Sequence, residues 1–189
     1  MKRLVIFASG SGTNAENIAK YFETSKTAEV SLILCNNPKA KVLERAKQLK
    51  IGAITFNKEV FQNSKIIIDL LKNLNPDLII LAGFLWKIPE ALVTSFPNKI
   101  INVHPALLPK YGGKGMYGKH VHEAVIANKE SESGITIHYV NEHYDEGATI
   151  FQASCSLTNV DTVDSLSAKI HDLEMEHFPK VVESLIQEP

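Results

Sequence analysis

Asn102 and His104 stand two residues apart in the apolar run Ile100-Ile101-Asn102-Val103-His104, and Pro105 follows at once. On a strand, positions two apart project from the same face, so an amide and an imidazole lie side by side. Both groups can donate to a carbonyl oxygen that is becoming an oxyanion. Pro105 ends the strand behind the imidazole. The segment Ala106-Leu107-Leu108-Pro109 has few free backbone dihedrals, which predicts a rigid wall beside the site.

A second chemical signal is the loop Ala8-Ser9-Gly10-Ser11-Gly12-Thr13-Asn14-Ala15, between the first apolar run and the first helical one. Glycines let a backbone approach an anion closely, and the free N–H groups of a helix start favour a phosphate. The hydroxyls of Ser11 and Thr13 and the amide of Asn14 add donors. Gly10-x-Gly12-x-x-Ala15 also satisfies a relaxed dinucleotide fingerprint. The next strand, however, ends Cys35-Asn36-Asn37-Pro38 and lacks the acidic residue that grips a dinucleotide ribose, so a monophosphate site is the better reading. A glycine turn needed only for strand-to-helix packing is the alternative.

These residues need a scaffold. Leu4 to Phe7, Val30 to Leu34, Leu78 to Leu81 and Ile100 to Val103 are short, continuous apolar runs, which suits strands buried on both faces. Helical spacing lies between them at Asn14 to Phe22, Ala40 to Lys50 and Asn63 to Leu74. The alternation predicts an α/β fold with a Rossmann-like, open, mostly parallel twisted sheet. After Tyr111 a glycine-rich loop precedes a short helix around Val121 to Ala127. The alternating segments Ile135 to Val140 and Thr149 to Ser154 then predict an antiparallel C-terminal strand pair extending the sheet. A long C-terminal helix is expected from about Thr162 to Ile186, with Asp161 as its N-cap and an interruption or kink at Pro179.

The chain has 189 residues, 20 basic and 21 acidic side chains and 44% hydrophobic residues, which suits one globular domain, and the element pattern and motifs divide it into a phosphate- and nucleotide-binding half, residues 1–111, and a capping half, 112–189. Near-neutral charge offers no electrostatic platform for nucleic acid or a membrane surface, so small-molecule substrates are expected. Cys35 and Cys155 form no close pair, no leader is apparent, and no apolar run approaches the roughly 18 residues of a membrane span. A cytoplasmic location with reduced thiols is expected. His120-Val121-His122 lacks the further ligands a metal site needs, so no metal is expected.

The S-G-x-G-T-N loop, Leu81-Ala82-Gly83-Phe84, Asn102-Val103-His104-Pro105-Ala106-Leu107-Leu108-Pro109 and Tyr144-Asp145-Glu146-Gly147, taken in order, resemble the glycinamide ribonucleotide formyltransferases of purine synthesis. The resemblance spans nearly the whole chain and implies transfer of the formyl group of 10-formyltetrahydrofolate to the amine of glycinamide ribonucleotide. It implies Asn102, His104 and Asp145 as the catalytic set, with Asp145 managing the proton. It assigns the substrate to Ser11, Gly12, Thr13, Asn14 and Pro105, with Glu176 at the ribose hydroxyls. The folate would lie against Phe84, Leu85, Trp86, Lys87 and Ile88 and against His138, Val140, Asn141 and Tyr144. A monomer or weak homodimer is expected.

The chain departs from the family where Trp86 replaces a frequent arginine, and where 57–64 carries no arginine. Its loop from Gly113 to Lys119 is longer than usual, which fits either a mobile flap with Lys114 reaching towards an anion or a surface insertion with no role. His120 is expected as a substrate or flap contact and His122 as a cap or solvent-facing residue. His143, His171 and His177 read as surface or packing histidines. A transferase acting on methionyl-tRNA would need a second, basic domain, and a formyltetrahydrofolate hydrolase an N-terminal regulatory one. From another class, a folate- or nucleotide-binding sensor would not need Asn102, His104 and Asp145 together.

Overall fold

The structure is a computed structural model that describes residues 1–143 and 145–187. In chain order the elements are β1 (Lys2–Ala8), α1 (Thr13–Ser25), β2 (Ala28–Cys35), α2 (Val42–Gln48), β3 (Ala53–Thr55), α3 (Lys58–Asn63) and α4 (Lys65–Leu74). They continue with β4 (Leu78–Leu81), α5 (Glu90–Ser95), β5 (Ile100–His104), α6 (Lys119–Ala127), β6 (Glu132–Tyr139), β7 (Thr149–Ser156) and α7 (Val163–Gln187). The strands form one sheet in the order β3-β2-β1-β4-β5-β6-β7. Pairing is parallel from β3 through β5 and antiparallel at β5–β6 and β6–β7.

Strand periodicity divides the core. Leu4, Ile6 and Ala8 of β1 point into one layer, with Ile18 and Phe22 of α1 and Leu166, Ile170 and Phe178 of α7. Val5 and Phe7 point into the other, against Phe61, Ile67, Leu71 and Leu92. Burial on both faces is why these strands read as unbroken apolar runs.

Three local features differ from the sequence expectation. The helix expected over Asn63 to Leu74 is α4, and a further short helix, α3, precedes it, the two separated by Ser64 in a left-handed conformation at φ 47°. The N-cap of α7 is Thr162 rather than Asp161. Thr162 Oγ1 accepts the Ser165 N–H at 3.2 Å and Ser165 Oγ accepts the Thr162 N–H at 2.9 Å, a reciprocal capping pair. Asp161 instead binds Lys169 at 2.8 Å. Finally, α7 continues through Pro179. The ring leaves the carbonyl of Met175, four residues back, without its helical donor. Asn17 Nδ2 of α1 donates to that carbonyl at 2.8 Å, so α1 repairs the defect.

Candidate active site

The strand order reverses at the β1–β4 junction, where the loops leaving the carboxyl ends of two neighbouring strands diverge and open a crevice. The loop after β1 and the turn after β4 are stitched together there. Ser9 N–H donates to the Gly83 carbonyl at 3.1 Å, and Leu85 N–H donates to Ser9 Oγ at 3.0 Å. A cavity of about 510 Å³ lies above them and reaches across β5 and β6 to one face of α7. That volume lies in the range of small-molecule sites.

His104 closes β5 and is almost fully buried. Its Nε2 lies 2.8 Å from the Tyr111 carbonyl, which only accepts, so Nε2 carries the hydrogen and Nδ1 is left to face Asp145 Oδ2 at 3.6 Å. Burial pushes the imidazole pKa below its ordinary value, against the opposing pull of Asp145 and of the Tyr111 carbonyl. Asp145 is held at φ 54° and accepts the Gly113 N–H at 2.9 Å. Gly147, two residues on, has no room for a side chain, since a Cβ there would overlap the Tyr139 carbonyl.

Asn102 is directly opposite His138 in the antiparallel β5–β6 register. His138 Nδ1 lies 2.9 Å from the Tyr139 carbonyl and therefore donates to it. Its Nε2 is left as an acceptor and takes one hydrogen of Asn102 Nδ2 at 3.2 Å, which fixes the amide's orientation and leaves the second N–H free to donate. Thr136, opposite His104, steadies the wall behind Pro105: its hydroxyl donates to the Ala106 carbonyl at 2.7 Å and accepts the Leu108 N–H at 2.9 Å.

Gly12, in the left-handed region at φ 75°, is the N-cap of α1 and supplies no side-chain cap, so the first-turn N–H groups of the helix have no capping side chain. Asn14 Nδ2 donates to Glu174 Oε2 at 2.7 Å, while Asn14 Oδ1 is buried without a partner among the described residues. Burial raises the Glu174 carboxyl to about 6, against the lowering effect of the Asn14 bond.

The structure brings Asn102, His104, Pro105, Asp145, Ser11, Gly12, Thr13, Asn14, Phe84, Leu85, Trp86, Lys87, Ile88, His138, Val140 and Asn141 to this one cavity. Tyr144 lies outside the described residues. Glu176 does not line the cavity. Its side chain is 60% exposed and pairs with Lys180 at 3.4 Å, and Glu174 occupies the cavity position. Two residues turn a helix by about 200°, so a carboxylate two positions along from a lining residue faces away. Ser167, Ile170, His171 and Glu174 share the inward face at helical spacing, a signal that buried Ile170 carried in the sequence.

His120 makes the expected contact with the glycine-rich loop, through Tyr117, whereas His122, expected as a cap or solvent-facing residue, does not face solvent. His120 is exposed, 3.5 Å from Glu123 and edge-on to Tyr117. His122 is buried in the cavity wall, its Nδ1 without a partner among the described residues, and burial, with the neighbouring His104 imidazole, lowers its pKa. His143 and His171 also line the cavity. In the glycine-rich loop, Gly113 and Gly115 to Gly118 form wall while Lys114 does not. Trp86, braced by Phe56, Phe61 and Phe84 at centroid distances of 5.6–6.3 Å, forms an aromatic side of the cavity.

Glu174→Gln tests the cost of placing this half-buried carboxylate in the cavity wall. A pKa raised from 4.5 to about 6 on folding means stability present below pH 4.5 is lost as pH rises through 6. The variant is therefore expected to be more stable than the parent by about 2 kcal/mol at pH 7.5, or about 4–8 °C in Tm, with the difference vanishing near pH 4.5. Thermal melts at the two pH values check this; equal melting at pH 7.5 would remove the carboxylate as a source of strain.

The chain matches the formyl transferase family over residues 2–182. It is 35% identical to phosphoribosylglycinamide formyltransferase of Bacillus subtilis (strain 168), covering 98% of this chain and 95% of that protein. The chain belongs to the formyl transferase family. A chloroplastic phosphoribosylglycinamide formyltransferase of Vigna unguiculata is 36% identical, and the chain spans 62% of its length. The crystal structure of a phosphoribosylglycinamide formyltransferase from Streptococcus pneumoniae TIGR4 superposes with a TM-score of 0.88 at 32% identity, covering 99% of this chain and 100% of that one. The enzyme of the same name from Bacillus halodurans gives 0.90 at 33% identity, covering 99% and 96%. This formyl transferase thus shares its sheet order and long C-terminal helix with solved members of the family.

Proposed function

We propose that this formyl transferase moves the formyl group of 10-formyltetrahydrofolate to the amine of glycinamide ribonucleotide, as a cytosolic monomer or weak homodimer acting in purine biosynthesis. The observation that carries the reading is one cavity that holds both the Asn102–His104–Asp145 cluster and the helix-start loop of α1. The amine nitrogen attacks the formyl carbon, whose oxygen becomes an alkoxide; the bond from carbon to the folate N10 then breaks, and the proton lost by the amine ends on N10. Asn102 offers its second Nδ2 hydrogen to the alkoxide. His104 offers Nδ1–H once protonated, and Asp145 is the charge that makes protonation of a buried ring attainable. Asp145 also accepts the amine proton, directly or through one water.

The ribonucleotide phosphate sits on the N–H groups of Gly12, Thr13 and Asn14 with the Ser11 and Thr13 hydroxyls. Glu174 takes the place proposed from sequence for Glu176, as the acceptor for ribose hydroxyls. Its carboxylate and the orphaned Asn14 Oδ1 are the acceptors that a diol would satisfy. The folate lies along the turn from Phe84 to Ile88 and along Val140 and Asn141, with His138 beneath it. Tetrahydrofolate release from 10-formyltetrahydrofolate, followed spectroscopically, is expected only when glycinamide ribonucleotide is present. Release without an acceptor would identify a hydrolase, and no release in either case a binding protein.

A further inference from the structure

Two consecutive carbonyls of the α1 loop are tied to the first turns of α2. The Gly10 carbonyl accepts the Val42 N–H at 3.1 Å, and the Ser11 carbonyl accepts Arg45 Nε–H at 2.8 Å. A trans peptide is planar, with its C=O and N–H pointing in opposite directions. Each tied carbonyl therefore sets the direction of the following N–H: Gly10 sets that of Ser11, and Ser11 sets that of Gly12. No α2 residue lines the cavity, whereas Gly10 to Asn14 all do, so α2 lies behind the loop. The two N–H groups turned away from α2 face the cavity side. Successive N–H groups converging from one side of a chain that passes into the left-handed conformation make an anion cradle, and Gly12 has that conformation. A Cβ at Gly12 would overlap Val42, so α2 is pressed against the loop.

We infer that Arg45 is a positioning residue for phosphate recognition, because its guanidinium holds the Ser11–Gly12 peptide with the Gly12 N–H aimed at the substrate phosphate. The inference rests on the phosphate reading above. Arg45 acts a second way, since Nη1 pairs with Glu16 in the first turn of α1. That carboxylate lies at the helix end an anion would occupy, and the ion pair offsets its repulsion. A guanidinium meets both demands with one rigid fork, whereas an ammonium on a flexible stem is a single point charge.

The test compares glycinamide ribonucleotide with its dephosphorylated ribonucleoside as acceptors for the full chain, Arg45→Met and Arg45→Lys. In the parent the phosphorylated acceptor should be strongly preferred. Arg45→Met should raise KM for the ribonucleotide by about ten- to a hundredfold, the scale of one misdirected hydrogen bond to a charged group. The ribonucleoside KM, the folate KM and kcat should stay within a few-fold. Arg45→Lys should fall between. A parent that prefers the phosphorylated acceptor, joined to an Arg45→Met variant that prefers it equally, overturns the role of Arg45 alone. So does a variant whose kcat and all KM values worsen in step with a lowered Tm, because that is general destabilisation. A parent that uses both acceptors alike overturns the phosphate reading itself.

Discussion

Asp145→Asn is expected to lower kcat by about 10²–10⁴-fold, the range for loss of a general acid–base group, with both KM values little changed. Asparagine keeps the shape of the side chain, and its carbonyl oxygen can still accept the Gly113 N–H that ties the glycine-rich loop to this position. What is lost is the charge 3.6 Å from His104 Nδ1 and the acceptor for the amine proton. Burial already pushes the His104 pKa down, and Asp145 is the larger of the two influences that oppose it. Without it the ring titrates at still lower pH. Two measurements separate these effects: steady-state turnover with saturating substrates, and an NMR titration of the His104 ring. An unmoved titration beside a lost rate would confine Asp145 to proton transfer. A rate within tenfold of the parent would exclude it from the chemistry.

Removing the imidazole should cost a comparable amount. His104→Ala is expected to lower kcat by about 10²–10³-fold, the usual scale for one oxyanion donor, because only the Asn102 amide would then face the developing alkoxide. The Tyr111 carbonyl would also lose its donor, an unsatisfied group worth about 1–3 kcal/mol of stability where water cannot replace it. His104→Asn provides the control: a variant that regains melting temperature but not turnover assigns the rate loss to chemistry rather than to the fold. Turnover near the parent's in either variant would place the oxyanion donors elsewhere.

Much of the scaffold was legible because its causes are local. A run such as Leu78 to Leu81, buried on both faces of a parallel sheet, has a composition that few other structures allow. The side-by-side placement of Asn102 and His104 follows from the two-residue period of any strand, and the glycine loop with free N–H groups follows from a strand feeding a helix. Both motifs, with Asp145, lie in the same cavity. The short helix α3 ahead of Ser64 was not legible, because Phe61 is its one buried residue and a single apolar position carries no period.

Residue types and their spacing by themselves determined that the chain builds a mostly parallel α/β sheet, that β5 ends in an amide and an imidazole on one face, and that the first helix begins at a glycine turn without a capping side chain. Tertiary structure alone decided which side chains from distant segments meet those groups. The β5–β6 register sets His138 against Asn102, and the rotation of α7 turns Glu174 inward and Glu176 to solvent. The seating of α2 brings Arg45 beneath Ser11, and that of α1 brings Asn17 to the carbonyl that Pro179 leaves free. Periodicity constrains the face on which a residue lies. The partner across that face depends on strand register and helix rotation, which are set jointly by packing of the whole core.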